Sequence, residues 1–143
     1  MFSTEQHIEN LVELRIVSPF TEAEMARLVH QHLAVLQGIL IKPYVIVTDL
    51  RAAHVFPAPI TARFISMMQA INPDLKRAAV LINGSAVLGL QAERAIQEAG
   101  HAERRSFREP EPLVDWLGEE LSTAARLRLR AFLKEGERFL ARA

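Results

Sequence analysis

Hydrophobic and polar positions alternate from the first residues. Two short runs, Phe2 to His7 and Leu11 to Val17, flank Ile8-Glu9-Asn10 and predict a β-hairpin, with Asn10 as the residue that tolerates a left-handed backbone at the turn. In the second run Leu11, Glu13 and Arg15 alternate with Val12, Leu14 and Ile16, the two-residue period of a strand with one face more buried than the other. The first run is more polar, as suits a sheet edge. Ser18-Pro19 ends the hairpin. Thr21 and Glu24 then have the spacing of a capping box, with Phe20 and Met25 placed as a hydrophobic staple. Met25, Leu28, Val29, His32 and Leu36 form one stripe of a helix that runs to about Gln37 and stops at Gly38.

The stretch Tyr44 to Arg51 organises the remainder of the chain. It is apolar on both alternating faces, which suits a central strand covered on both sides, and it turns polar at Thr48, Asp49 and Arg51. That carboxyl end is where open α/β sheets meet ligands and partners. Ala52 to Pro59 reads as a loop, and Ile60, Phe64, Met67, Met68 and Ile71 give the next helix a buried face that ends at Asn72-Pro73. Ala78 to Ile82 is a second buried strand, followed by a turn at Asn83-Gly84-Ser85 and a helix from about Ala86 to Ala99, closed by Gly100. Arg104 to Phe107 makes a last strand. Glu109-Pro110-Glu111-Pro112 starts a helix whose inner stripe is Leu113, Trp116, Leu117 and Leu121. A further amphipathic helix spans Ser122 to Arg142, with Ala125, Leu129, Phe132, Leu133, Gly136 and Leu140 on its apolar stripe.

This order predicts an α/β fold: a single mostly parallel sheet with an N-terminal β-hairpin, helices on both faces through right-handed crossovers, and a C-terminal helical extension. Residues 1–121 form the expected domain and 122–143 the extension. With 143 residues and 50 % hydrophobic content the chain closes one core. Lys plus Arg and Asp plus Glu both total 17, so no net field steers it toward nucleic acid. Without cysteine, thiolate metal sites and a cysteine nucleophile are excluded. With no leader pattern and no bilayer-length apolar run, a soluble, cytoplasmic protein without cofactor is expected.

The stretches Val45 to Arg51, Arg77 to Ile82, and Arg105 to Leu117 carry a resemblance. In order and spacing they resemble the STAS fold of bacterial anti-sigma-factor antagonists, and more closely the STAS/SEC14-like bacterial proteins. The resemblance implies a non-catalytic regulatory or scaffolding module that binds a protein partner at the end of its sheet. In the antagonist branch a serine at the start of the helix after the central strand is phosphorylated. Here His54 to Thr61 contains no serine, which departs from that pattern. The SEC14-like branch implies an alternative, a carrier for a small ligand or lipid.

Candidate binding residues cluster after the two central strands. Asp49, Arg51 and His54 either present an acid, a base and a titratable ring to a ligand, or Asp49 pairs with Arg51 while His54 is solvated. Asn83 and Ser85 stand at a helix N-terminus, where free amides hold anions or a serine simply caps the helix. His30 and His32 lie two apart on a helix and cannot share a metal. In the tail, Arg126, Arg128, Arg130, Lys134, Arg138 and Arg142 accompany the apolar stripe, and Phe132, Leu133, Phe139 and Leu140 are the expected interface residues. Packing on the chain's own sheet, homo-oligomer formation and an anionic membrane surface compete for this helix, the membrane last.

Overall fold

The computed structural model describes residues 1–142, with side chains through Leu140. Strands β1 (Phe2–Ile8) and β2 (Leu11–Ile16) form the hairpin, followed by α1 (Glu22–Gln37), β3 (Tyr44–Asp49), α2 (Ala58–Ile71), β4 (Leu75–Leu81), α3 (Ala86–Ala99), β5 (Arg104–Phe107), α4 (Pro110–Gly118) and α5 (Thr123–Glu135). The strands lie in chain order, β1-β2-β3-β4-β5, antiparallel only between the first two. The stretch read as the organising strand is the middle one. Local signals behave as expected: Thr21 and Glu24 close a reciprocal capping box on α1, and Gly100 ends α3 in a left-handed conformation at φ 80°.

The sequential strand order decides which helix covers which face. Each parallel connection steps the same way across the sheet, so crossovers of one hand put α1, α2 and α3 together. They bury Met25, Leu28, Ile60, Met67 and Leu88 against Val12, Leu14, Ile16, Ile46 and Ala78. The opposite face, with Leu11, Val45, Val47, Ala79 and Leu81, is covered by Leu113 and Leu117 of α4 and Ala125, Leu129 and Phe132 of α5. Helices flank both faces, the second face being covered by helices that follow the last strand rather than connect two.

Three local expectations change. All six residues of β2 are buried, Glu13 and Arg15 included, because α5 lies over the face that the alternation left half-exposed. The left-handed residue of the hairpin is Glu9, at φ 47°, not Asn10. Asn10 instead ties the turn to β3: its side chain donates to the Pro43 carbonyl at 2.6 Å, and its carbonyl accepts from the Val45 amide at 3.0 Å. The final helix is also shorter than the apolar stripe implied, because α5 ends at Glu135 and Gly136–Arg142 continues as a 3-10 segment. No helix among the described residues is long and apolar enough to cross a membrane.

Candidate functional site

At the carboxyl end of β3 the expected polar group is present, but it is turned inward. Asp49, 3 % exposed, accepts from the Arg51 backbone at 3.1 Å, from Arg51 Nε and Nη2 at 3.0 Å each, and from Arg15 Nε at 3.3 Å. The two arginines joined by this carboxylate donate onward to the last turn of α5, Arg15 to the Phe132 carbonyl and Arg51 to the Leu133 carbonyl at 2.6 Å. Cations there complement the negative end of the helix dipole, and the Phe132 carbonyl accepts from the Gly136 amide as well. Arg15 also lies 4.1 Å from the centroid of the Phe132 ring. His54 stands apart and exposed, its backbone amide donating to Ser18 Oγ at 2.8 Å. Asp49, Arg51 and His54 therefore do not converge on a ligand: the first two clamp the tail to the sheet.

Asn83 and Ser85 are likewise absorbed by the scaffold. The Asn83 amide donates to the Arg51 and Ala53 carbonyls at 3.1 and 3.0 Å and accepts from the Ser85 amide at 2.9 Å, stapling two loops together. Ser85 caps α3 by accepting from the Leu88 amide at 3.2 Å. Of the expected interface residues, Phe132 and Leu133 are buried in the domain's own core, which removes them from any subunit surface while α5 stays docked. Phe139 and Leu140 are partly buried. The basic side of the tail reaches β2, where Arg128 holds Glu13 with bonds of 2.8 and 2.7 Å and also pairs with Glu135. These carboxylates raise the pKa of Arg128, the Glu13 hydrogen bonds most. A polar cavity of about 250 Å³ beside this network is lined by Glu5, His7, Glu13, Arg15 and Arg128; Glu5 meets His7, Glu13 meets Arg128, and Arg15 pairs with Asp49 outside it.

A different opening lies on the other face, between α2 and α3. Phe64, Met67, Met68 and Ile71 form one wall and Leu88, Gln91, Ala92, Ala95 and Ile96 the other. The floor is the sheet itself at Ile46, Thr48, Ala78 and Val80. Thr48 and Val80 are the next-to-last residues of the adjacent strands β3 and β4, are paired in register, and are both partly exposed. Small residues at 78, 92 and 95 leave the gap. Side-chain hydrogen bonds pin the two helices at both ends, so the gap is not a loose seam. Gln91 donates to the Phe56 carbonyl at 2.7 Å and to Thr61 Oγ1 at 3.1 Å, and accepts from the Phe56 amide at 2.9 Å. At the far end Gln69 donates to the Glu98 carbonyl at 3.1 Å and Asn72 to the Ala99 carbonyl at 2.6 Å. The space within this open cleft is about 110 Å³.

Three titratable residues complete the lining, His32 from α1 and Arg104 and Arg105 from β5, the Arg105 guanidinium lying 4.9 Å from the centroid of the Trp116 ring. His32 is 1 % exposed, with Nδ1 2.7 Å from Thr4 Oγ1. Burial, with a smaller contribution from the Arg104 charge, pushes its pKa down to about 4, so the ring is neutral at physiological pH. Its place on the helical stripe reads as that of a packed or partly exposed histidine, and the structure buries it. Periodicity did not show that it borders a cleft, because a cleft arises where small residues on separate elements meet. The two methionines, expected as core filler, divide: Met67 is buried and Met68 is partly exposed in the cleft wall. Compared with known proteins, the chain matches no family model, no curated protein and no solved structure.

Proposed function

We propose that this domain is a non-catalytic binding module whose ligand is a small apolar molecule held in the cleft between α2 and α3. One observation carries the reading: the sheet at Thr48 and Val80, near the carboxyl ends of β3 and β4, stays partly open between two helices that are hydrogen-bonded at both ends of the gap. An unfilled apolar surface forgoes burial energy of about 25 cal/mol per Å² and is a ready place for a ligand to recover it. Size bounds the occupant. A dry apolar cavity of roughly 150 Å³ takes a benzene ring, and drug-sized pockets start near 300 Å³. At about 110 Å³ the cleft suits a ring or a short acyl chain, not the whole diacyl lipid of a SEC14-like carrier.

Calorimetric titration with 1-hexanol tests this directly, using the full chain and Ala92→Leu, which places a larger side chain in the cleft wall. Saturable binding to the full chain, lost in a variant that is more stable by about 0.5–2 kcal/mol, supports the reading. Equal binding to both proteins counts against it.

A second reading, a protein partner at the carboxyl end of the sheet as the STAS-like resemblance implies, is favoured by one feature. Val55, Val87 and Leu90 are 46 %, 59 % and 72 % exposed, and the Phe56–Gln91 hydrogen bonds draw their loop and helix together. The measurement is interaction capture with Leu90→Asp beside Leu127→Asp, a substitution at an exposed leucine on α5. A partner lost only with the first supports this reading, and a partner retained by both removes it.

A further inference from the structure

Among the described residues five arginines are buried or partly buried: Arg15, Arg51, Arg77, Arg104 and Arg128. Four of them hold a carboxylate: Arg15 and Arg51 share Asp49, Arg77 meets Glu103 and Glu119, and Arg128 meets Glu13 and Glu135. Arg104 has no carboxylate within 4.0 Å among the described residues. It stands on β5 in register with Ala78, which puts its side chain on the same sheet face as the cleft floor. Its hydrogen bonds all go to neutral acceptors, Nε and Nη2 to Asn72 Oδ1 at 3.2 and 3.0 Å and Nη2 to the Met68 carbonyl at 3.1 Å. Those bonds fix the guanidinium at the end of α2 and leave Nη1 without a protein partner among the described residues.

Arg104 is half-buried with Nη1 still accessible, and a charge taken partly out of water carries a cost and is ordinarily paired. The cost is visible here: burial alone pulls the Arg104 pKa down to about 10. The neighbouring titratable group offers no compensation, because His32 is a neutral ring and not an anion. Thr61 Oγ1 is already engaged by Gln91, Arg105 lies against Trp116, and apart from Thr48 the rest of the lining is apolar. A guanidinium with Nη1 free to donate, fixed beside an apolar gap, can receive a carboxylate oxygen of a ligand with an apolar body.

We infer that the ligand of the α2/α3 cleft is a small apolar acid, its hydrocarbon lying over Thr48 and Val80 and its carboxylate meeting Arg104. The inference rests on the cleft being a ligand site and adds the class of ligand. It is tested at pH 7.5 by titrating the full chain with hexanoate and, separately, with 1-hexanol, which has the same number of carbons without the charge. Hexanoate is expected to bind at least about tenfold more tightly, equivalent to 1.4 kcal/mol. Arg104→Gln should bring hexanoate to the affinity of 1-hexanol while leaving 1-hexanol unchanged. If 1-hexanol binds the full chain as well as or better than hexanoate, the acid assignment is overturned and the cleft reading stands; an unchanged ratio in Arg104→Gln has the same effect. If neither compound binds, the cleft reading falls and the acid assignment with it. The ratio measured on the unsubstituted protein decides the matter even if Arg104→Gln does not fold.

Discussion

Acidification should expose the burial of His32 more sharply than any other single group. The ring is held in the core by α1, with Thr4 as its hydrogen-bond partner and the Arg104 charge nearby, and its pKa falls from 6.5 to about 4. In the unfolded chain the imidazole returns to its ordinary value near 6.5 and takes up a proton that the folded state refuses. The folded-state pKa is the lower one, so the stability is intact above about pH 6.5, is lost progressively as pH falls toward 4, and levels off below that. At 1.36 kcal/mol per pH unit the full loss is about 3 kcal/mol, and about 2 kcal/mol of it is gone by pH 5. Urea unfolding of the unsubstituted protein and of His32→Met, at several pH values from 7.5 to 4, isolates this contribution because other groups titrate alike in both. The substitution loses the Thr4 hydrogen bond, yet relative to the unsubstituted protein it should gain about 3 kcal/mol over that range. Parallel stability profiles would refute the placement of a neutral histidine in the core.

The clamp over the second face has consequences of its own. Asp49→Ala leaves Arg15 and Arg51 without their shared carboxylate, and a loss of about 3–5 kcal/mol is expected in denaturant unfolding, with faster amide exchange in α5. A β-carbon on Gly136 would overlap Asp49 Oδ2 and stand 2.8 Å from the Nη2 atoms of Arg15 and Arg51. Gly136→Ala should therefore cost about 1–3 kcal/mol, measured as a lower urea midpoint at unchanged slope. Truncation after Leu121 uncovers Leu11, Val45 and Val47, removes Arg128 from Glu13, and removes the Phe132 and Leu133 carbonyls from Arg15 and Arg51. Light scattering should show that fragment aggregated or unfolded, and a soluble folded monomer would contradict the role given to α5.

The elements themselves were legible along the chain because their signals are local. The capping box at Thr21, the both-faced apolar run at Tyr44 and the closing Gly100 each report on a few neighbouring residues. The clamp was not legible for the opposite reason. Glu13 and Arg15 read as the wetter face of β2, and the groups that bury them, Arg128 and the end of α5, lie more than one hundred residues later. Asp49 next to Arg51 correctly suggested an ion pair, but nothing in that tripeptide says that the pair points at a helix terminus. The cleft depends on three alanines from two elements meeting over Thr48 and Val80, a coincidence of tertiary packing that no period records. A hint of Arg104 was present: an arginine inside a short strand, spaced to share a face with Ser106, marks a charge that needs a partner.

The most direct measurement is the position of 1-hexanol on the protein, read from intermolecular nuclear Overhauser effects to assigned methyl groups at saturating alcohol. Contacts to Met68, Val80 and Ile96, without contacts to Val87 or Leu90, are the expected result and place the ligand in the cleft. Contacts confined to Val55, Val87 and Leu90, or none at saturation, would contradict it and return the carboxyl end of the sheet to first place.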